Sequence, residues 1–309
     1  METTGNEITK QYVDKGASKD EWLALGFNEA QYIEIKLGID NGVDVLVYAD
    51  KEYNAAQMKS IRLGLEAGMD VSSFADPDYD YMQMEQIKEA IMSNVSLELI
   101  CDKKYSSDVM REIIIADSRY NFDLSRYAKE GYSGGILRQI RMAKKDDIDI
   151  AFFVAENYDE YQLNEIRLGI LHCVDITLYL LHEYTGEQMM QLRLGLESGV
   201  DISFYNMLGF SSGQMEQVRL GLEAGIDVSE YADTFIDAES MKKMRINLER
   251  GDESGETLNE LQQQEIIMGL GSGIDVSLYA DARYTFKQME QIRLALEKGE
   301  NPEKLLIYN

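Results

Sequence analysis

The chain repeats itself every 26 residues, and this period restricts it to folds built from stacked copies of one small unit. Residues 57–72 recur almost unchanged at residues 214–229. Strong copies begin at Gln31, Gln57, Gln162, Gln188, Gln214, Gln262 and Gln288, and weaker copies begin at Gln83, Val109, Ile136 and Ser240. We number these eleven repeats in chain order and count positions from the first residue of each. Such a repeat buries its apolar face against its neighbours, and proteins of this kind present a long surface.

Each repeat carries the signature of a helix start. The residue three places before position 1 is polar, as illustrated by Asn28, Asn54, Asp80, Asp159, Thr185, Ser211 and Thr285. These residue types are strong N-caps, and the glutamine at position 1 completes a capping box with them. The aromatic residue before the cap and the apolar residue at position 2, such as Tyr53 and Met58, predict a hydrophobic staple.

Glycines mark both the interior and the end of each predicted helix. Glycine at position 12 predicts a left-handed C-terminal cap, at Gly42, Gly68, Gly199, Gly225, Gly251, Gly273 and Gly299. Positions 2, 5 and 9 share one face, whereas Leu63 at position 7 points away, so we expect the helix to pack on two sides. Six repeats have glycine at position 8, which costs about 1 kcal/mol relative to alanine. We therefore expect another backbone to approach closely there.

The residues after position 12 predict a second, shorter element. The pattern Asp-Val-Ser-x-Tyr-Ala-Asp, as at residues 227–233, is typical of a capped short helix or 3₁₀ turn. β-branched alternation is nearly absent, so we expect almost no sheet. The predicted fold is an all-α, right- or left-handed α-solenoid of about eleven helix-turn-short-helix repeats. Its predicted parts are an N-terminal cap (1–30), repeats 1–3 (31–108), degenerate basic repeats 4–5 (109–161), repeats 6–11 (162–299) and a C-terminal cap (300–309).

Most of the chain follows one motif, Gln-Met-x-x-Ile-Arg-Leu-Gly-Leu-Glu-x-Gly-x-Asp-Val-Ser-x-Tyr-Ala-Asp. It resembles the acidic 26-residue helical repeat in proteins of gut Firmicutes and their mobile elements. The resemblance implies an array of helical repeats and implies no activity. The departures from the motif, residues 83–161 and 240–261, are where we expect this chain to differ in its task. Changes of repeat length at the fourth and ninth repeats predict local bends.

Composition limits the classes of partner. Thirty basic and 56 acidic residues give a net charge of −26, which repels nucleic acid and anionic membranes and favours a basic partner. The two cysteines, Cys101 and Cys173, have no paired spacing, as is typical of a reducing compartment. Residues 1–10 are polar, unlike a signal peptide, and no apolar run approaches the ~20 residues that cross a bilayer. We expect a cytoplasmic protein without a membrane partner.

Residues 101–145 differ from the rest of the chain in charge. They contain ten basic and six acidic residues, a net charge of +4, whereas the remaining residues sum to −30. This segment either contacts an acidic or phosphate-bearing partner or offsets the acidic flanks of the array. The candidate partner-binding residues are Lys103, Lys104, Arg111, Arg119, Arg126, Arg138, Arg141, Lys144 and Lys145.

Charged residues also recur in register along the repeats. Position 6 is Arg or Lys in nine repeats, position 10 is often Glu and position 14 is often Asp. One interpretation is structural: positions 6 and 10 pair weakly along the helix, and the arginine also reaches an Asp cap in an adjacent repeat. The other interpretation is a stripe of carboxylates that resembles a phosphate backbone. One row with a carboxylate every ~9–10 Å is sparser than DNA, which has one charge per ~1.7 Å, so several rows would be needed. The candidate acidic ladder comprises Asp44, Asp70, Asp76, Asp201, Asp227, Asp233, Asp275 and Asp281.

Residue patterns that support catalysis are scarce. The only histidines, His172 and His182, show no zinc-ligand spacing with Cys173. Residues 76–80 begin like a calcium loop but lack its required glycine and bidentate glutamate. No phosphate-binding loop, nucleophile elbow or dinucleotide fingerprint occurs. We expect no enzyme activity, no metal and no cofactor.

Two functions fit these observations. The first is a non-enzymatic acidic repeat protein that binds a protein partner along an extended surface and does not bind nucleic acid directly. The alternative is an acidic nucleic-acid mimic of the anti-defence or anti-CRISPR type. In that case the chain blocks the nucleic-acid groove of a basic protein.

Overall fold

A computed structural model describes residues 5–250 and 258–302. Within these ranges the chain forms fifteen α-helices and no strand, which confirms an all-α protein. The chain divides into two compact units, Met1–Asp149 and Ile150–Asn309. Two expectations lie outside the described residues: the helix end at Gly251 and most of the C-terminal segment 300–309.

Helices of the first unit pack in sequence order. They are α1 (Gly5–Asp14), α2 (Lys19–Ala24), α3 (Glu29–Asp40), α4 (Ala55–Glu66), α5 (Tyr81–Met92), α6 (Ser107–Tyr120), α7 (Ser125–Lys129) and α8 (Gly134–Lys145). Each helix from α2 to α5 packs on the next one, and α6 packs on α8. Short 3₁₀ helices follow α3 and α5, at Val45–Val47 and Leu97–Leu99. The predicted alternation of a long helix with a short element is thus present.

The second unit follows the same scheme. It contains α9 (Ala151–Ala155), α10 (Glu160–Leu171), α11 (Gly186–Ser198), α12 (Ser212–Glu223), α13 (Ala238–Arg250), α14 (Glu260–Gly271) and α15 (Phe286–Glu297). Helices α10 to α13 pack consecutively, and α14 packs on α15. Three 3₁₀ helices, Ile176–Leu178, Ile202–Phe204 and Val276–Leu278, follow α10, α11 and α14.

Capping boxes start the helices where the sequence predicts them. In α11 the Thr185 hydroxyl accepts the N–H of Gln188 at 3.2 Å, and the Gln188 side-chain oxygen accepts the N–H of Thr185 at 2.8 Å. The other predicted caps, at Asn28, Asn54, Asp80, Asp159, Ser211 and Thr285, form the same box, as do Asn259 and Ser18. Local polar chemistry therefore sets the first residue of each of these helices.

The amide nitrogen of the position 1 glutamine joins successive repeats. In Gln188 it donates to the carbonyl of Phe210 at 2.6 Å, 22 residues further along. Six other glutamines donate to the carbonyl at this spacing, namely Gln31, Gln57, Gln83, Gln162, Gln214 and Gln262. The acceptor immediately precedes the next N-cap. One buried side chain thus caps its own helix and holds the entrance to the next.

The glycine at position 8 makes room for a tyrosine side chain. The expectation that another backbone approaches closely there is therefore wrong. A Cβ on Gly195 would lie 1.9 Å from the hydroxyl oxygen of Tyr205, ten residues later. That hydroxyl donates to the carbonyl of Gln191 on the same helix as the glycine. The same pairing joins Gly38 to Tyr48, Gly169 to Tyr179, Gly221 to Tyr231 and Gly269 to Tyr279. Where position 8 is Ala90, the residue ten later is the smaller Ile100.

Position 6 arginine pairs along its helix, as predicted, but its second partner is not an Asp cap. Arg193 is 6% exposed and pairs with Glu197 one turn later. Its Nε donates at 2.7 Å to Glu165, which lies at position 4 of the preceding helix. The same contact links Arg62 to Glu34, Arg219 to Gln191, Arg245 to Gln217 and Arg293 to Glu265. The buried guanidinium is thus hydrogen-bonded across each of these helix pairs, by a carboxylate in three of them and by a neutral glutamine in two.

The core comprises the staple residues and position 5. Tyr53, Met58 and Ile61 are buried, as are their equivalents in most described repeats. Leu63 at position 7 remains 40% exposed. Helix α4 does pack on two sides, against α3 and α5, but position 7 does not lie on a buried side. In the N-terminal segment, Trp22 is buried and packs edge-on against Tyr12 and Phe27.

Candidate binding surfaces

Three of the candidate basic residues surround one buried carboxylate. Glu112 is 2% exposed, and its oxygens lie 2.8 Å from Arg141, 3.2 Å from Arg138 and 3.8 Å from Arg111. Arg111 also pairs with Asp108 at 2.9 Å. Glu112 and Arg141 occupy positions 4 and 6 of adjacent repeats. The contact that links regular repeats thus recurs here with two additional arginines.

Two other cations of the segment are held by near neighbours. Lys103 lies 2.7 Å from both Asp76 and Asp78, and its hydrogen bonds to Asp76 and then Asp78 raise its pKa. The Arg126 guanidinium lies over the Tyr127 ring, 4.4 Å from its centre. These contacts occupy the charges with intramolecular partners, which supports the offsetting interpretation for this part of the segment.

Besides Arg126, four of the candidate basic side chains form no ion pair within the described residues. They are Lys104, Arg119, Lys144 and Lys145, all exposed. Arg119 and Arg111 line an open groove of about 450 Å³ along α5 and α6, together with Glu85, Glu89 and Met92. The groove carries both signs of charge, so it has no simple preference for an anion.

The acidic ladder has a structural role in the turns. Each of its eight carboxylates accepts the backbone N–H two residues later at 2.9–3.0 Å, in Asp44, Asp70, Asp76, Asp201, Asp227, Asp233, Asp275 and Asp281. One oxygen suffices for this bond. Six of the eight side chains are exposed, whereas Asp76 and Asp281 are half-buried and pair with Lys103 and Arg283.

Hydrogen bonds lower the pKa of five carboxylates of the ladder. The side chain and backbone N–H of Ser229 lower the pKa of Asp227, and the equivalent serines lower those of Asp201 and Asp275. In Asp70 the backbone N–H of Ser72 contributes most to the lowered pKa, and in Asp76 the hydrogen bond from Lys103 does. These five carboxylates therefore carry negative charge throughout the physiological pH range.

The histidines have ordinary structural contacts. His172 Nδ1 lies 2.6 Å from Glu197, and the His182 ring stacks on Tyr158 with centres 3.9 Å apart. Among the residues that the structure describes, no group of three His, Cys, Asp or Glu side chains is placed to hold a metal ion. Over the same residues, no helix combines the length and apolarity needed to cross a membrane.

Sequence reasoning missed one surface feature. In the second unit, successive turns expose Leu181, Met207 and Phe235. Leu181 and Met207 occupy position 20, where the ladder has Asp76, Asp233 and Asp281. The sequence signal for this surface is the replacement of the aspartate that other repeats have at position 20. Comparisons with models of protein families, with curated proteins and with solved structures give no match.

Proposed function

We propose that this chain is an α-solenoid of about eleven repeats that binds a protein partner along the edge formed by its turns, without catalysis. The observation that carries the proposal is the repeated, exposed turn aspartate. It caps a turn with one oxygen and leaves its remaining acceptor sites open to solvent. The proposal includes membership of the acidic 26-residue helical-repeat proteins.

Buried and exposed residues have different roles within a repeat, and this difference supports the proposal. Buried polar side chains, such as Gln188 and Arg193, are engaged in contacts that hold helices together. The exposed turns vary more between repeats, as Phe204, Glu230 and Leu278 illustrate at position 17. A regular interior with a variable edge is how repeat proteins create binding surfaces.

The nucleic-acid mimic is the second candidate. The lowered pKa values of Asp70, Asp201, Asp227 and Asp275 favour it, because a mimic must keep its carboxylates charged. A basic nucleic-acid-binding protein is then the partner. Strong dependence of binding on salt distinguishes this candidate from a partner held mainly by apolar contact.

The test is affinity capture from nuclease-treated lysate with wild type and with the variant Asp201→Asn/Asp227→Asn/Asp275→Asn. Asparagine is also a good N-cap, so each turn should retain its hydrogen bond and only the charge is lost. The matched control is Glu183→Gln/Glu187→Gln/Glu216→Gln, which removes the same charge away from the ladder.

We expect a partner that wild type and control retain and that the Asn variant loses. Release of that partner by high salt, or by added DNA, selects the mimic. Equal capture by the Asn variant contradicts a role for the ladder. Failure of wild type to retain any protein reproducibly contradicts the proposed function.

A further inference from the structure

Three successive turns of the second unit expose a set of apolar side chains, here called the apolar turn patch. Phe235 is 96% exposed, and the others are 39–51% exposed. The patch comprises Leu178, Leu181, Phe204, Met207, Leu208 and Phe235. Single exposed apolar residues are common on proteins, but a contiguous group marks an interaction surface.

Contacts join each of these turns to the next, so the apolar side chains lie on adjacent turns. The Asn206 side-chain nitrogen donates to the carbonyl of Leu178 at 2.9 Å, which joins the first turn to the second. A Cβ on Gly209 would lie 3.0 Å from the Thr234 methyl carbon, which places the second turn against the third. Leu208 and Phe235 directly adjoin these two residues in the chain.

The patch replaces a stabilising feature of the repeat. At position 20, Asp50, Asp76, Asp102, Asp233 and Asp281 each accept the backbone N–H two residues later. Leu181 and Met207 stand at this position and provide no such cap. Loss of a local cap in exchange for exposed apolar surface gives no gain in folding, which is the pattern expected of a functional site.

Charge around the patch selects the partner. Asp175, Asp201, Asp227 and Asp233 are exposed in the same three turns. Successive turns follow helices that pack about 8–10 Å apart, and residues seven apart on an α-helix are separated by about 10.5 Å. A helix with apolar residues at that spacing and basic residues beside them matches both the apolar centre and the acidic surroundings.

We infer that the apolar turn patch docks a cationic amphipathic helix of the protein partner. This inference rests on the proposed function. A second copy of this chain fits the patch poorly. Two copies meeting there would bring the same four aspartates into opposition, on chains that each carry a net charge of −26.

The test uses a labelled synthetic helix with leucine on one face and lysine on the other, titrated by fluorescence anisotropy. The variant is Leu181→Asp/Met207→Asp, which restores the residue found at position 20 in five other repeats. It adds two negative charges, so electrostatics alone would strengthen its binding of the cationic helix. The matched control is Ile267→Asp/Leu270→Asp, which adds the same charge at two exposed apolar positions of α14.

We expect wild type and control to bind the peptide and the variant to bind it roughly 10- to 100-fold more weakly. Thermal unfolding of the variant should occur at or above the wild-type temperature, because each new aspartate caps a turn. A peptide of the same composition with its leucines spread around the helix should bind weakly to all three proteins.

Unchanged affinity of Leu181→Asp/Met207→Asp overturns the inference, as does equal binding of the two peptides by wild type. Self-association of wild type that this variant abolishes also overturns it, in favour of a second copy. A captured partner that binds the variant as well as wild type leaves the proposed function intact and removes the patch from it. Failure to capture any partner counts against the proposed function, while the peptide titration still tests the patch.

Discussion

Substitution of Gly195 by alanine should destabilise the second unit, although alanine is the better helix former. The new methyl carbon would lie 1.9 Å from the Tyr205 hydroxyl oxygen and 3.0 Å from an Ile202 methyl carbon. Overpacking of this kind costs about 1–3 kcal/mol. Displacing Tyr205 also breaks its hydrogen bond to Gln191, which costs a further ~1 kcal/mol.

The gain in helix propensity opposes these costs by about 1 kcal/mol. The net expected destabilisation is therefore about 1–3 kcal/mol. Each kcal/mol corresponds to a fall in Tm of roughly 2–4 °C for a unit the size of residues 150–309. Circular dichroism during heating and urea titration measures both quantities.

Gly271→Ala is the matched control, because Gly271 ends α14 and a Cβ added there would have no neighbour within 4 Å. This substitution should leave stability unchanged or raise it slightly. The double variant Gly195→Ala/Tyr205→Ile copies the natural pair Ala90 and Ile100, and it should be more stable than the sum of the two single changes predicts. If Gly195→Ala and Gly271→Ala shift Tm equally, the steric argument for position 8 is refuted.

Three further predictions concern single contacts. Cys173 has a φ of +59° at the position where other repeats have glycine, so Cys173→Gly should raise stability by about 1 kcal/mol; an unchanged urea midpoint would contradict this. Glu165→Leu removes one of the two carboxylates that pair with buried Arg193, leaving Glu197 alone, and should cost about 1–3 kcal/mol, whereas Glu165→Gln, which copies Gln191 and keeps a hydrogen-bond acceptor, should cost less; equal losses in denaturant titrations would show that the retained hydrogen bond contributes nothing. The pKa of Asp227 is lower in the folded state than in the unfolded chain, so its stabilising contribution is complete above a pH of about 4 and disappears as the pH falls through the folded value. Asp227→Asn should therefore reduce the acid-induced loss of stability, and parallel pH–stability curves for the two proteins would disprove it.

The sequence was sufficient for the helix starts because a capping box lies within four consecutive residues. Asn54 and Gln57 identify one without any knowledge of the neighbouring repeats. Glycine at position 8 was recognised as a close approach, but its partner was misassigned. Tyr205 is a side chain ten residues away, and only the path of the turn brings it back over Gly195.

The arginine partner could not be inferred from charge alone. Position 4 alternates between glutamate, as in Glu165, and glutamine, as in Gln191, so a search for acidic residues passes over it. The basic segment was visible in the composition, but the convergence of three arginines on Glu112 depends on the packing of α6 against α8. The apolar turn patch follows from a comparison of repeats, once Leu181 is seen to replace an aspartate.

The glutamine that joins successive repeats also restricts the length of the repeat that it begins. Its acceptor lies 22 residues downstream, so an insertion or deletion between the two displaces the carbonyl from the amide. Every repeat that begins with glutamine and is followed by another repeat is 26 residues long. The two repeats of irregular length begin instead with Val109, which opens one that is a residue longer, and with Ser240, which opens one that is four residues shorter. Duplication of whole repeats preserves every donor and acceptor, and in this chain the length of a repeat changes only where the glutamine is absent.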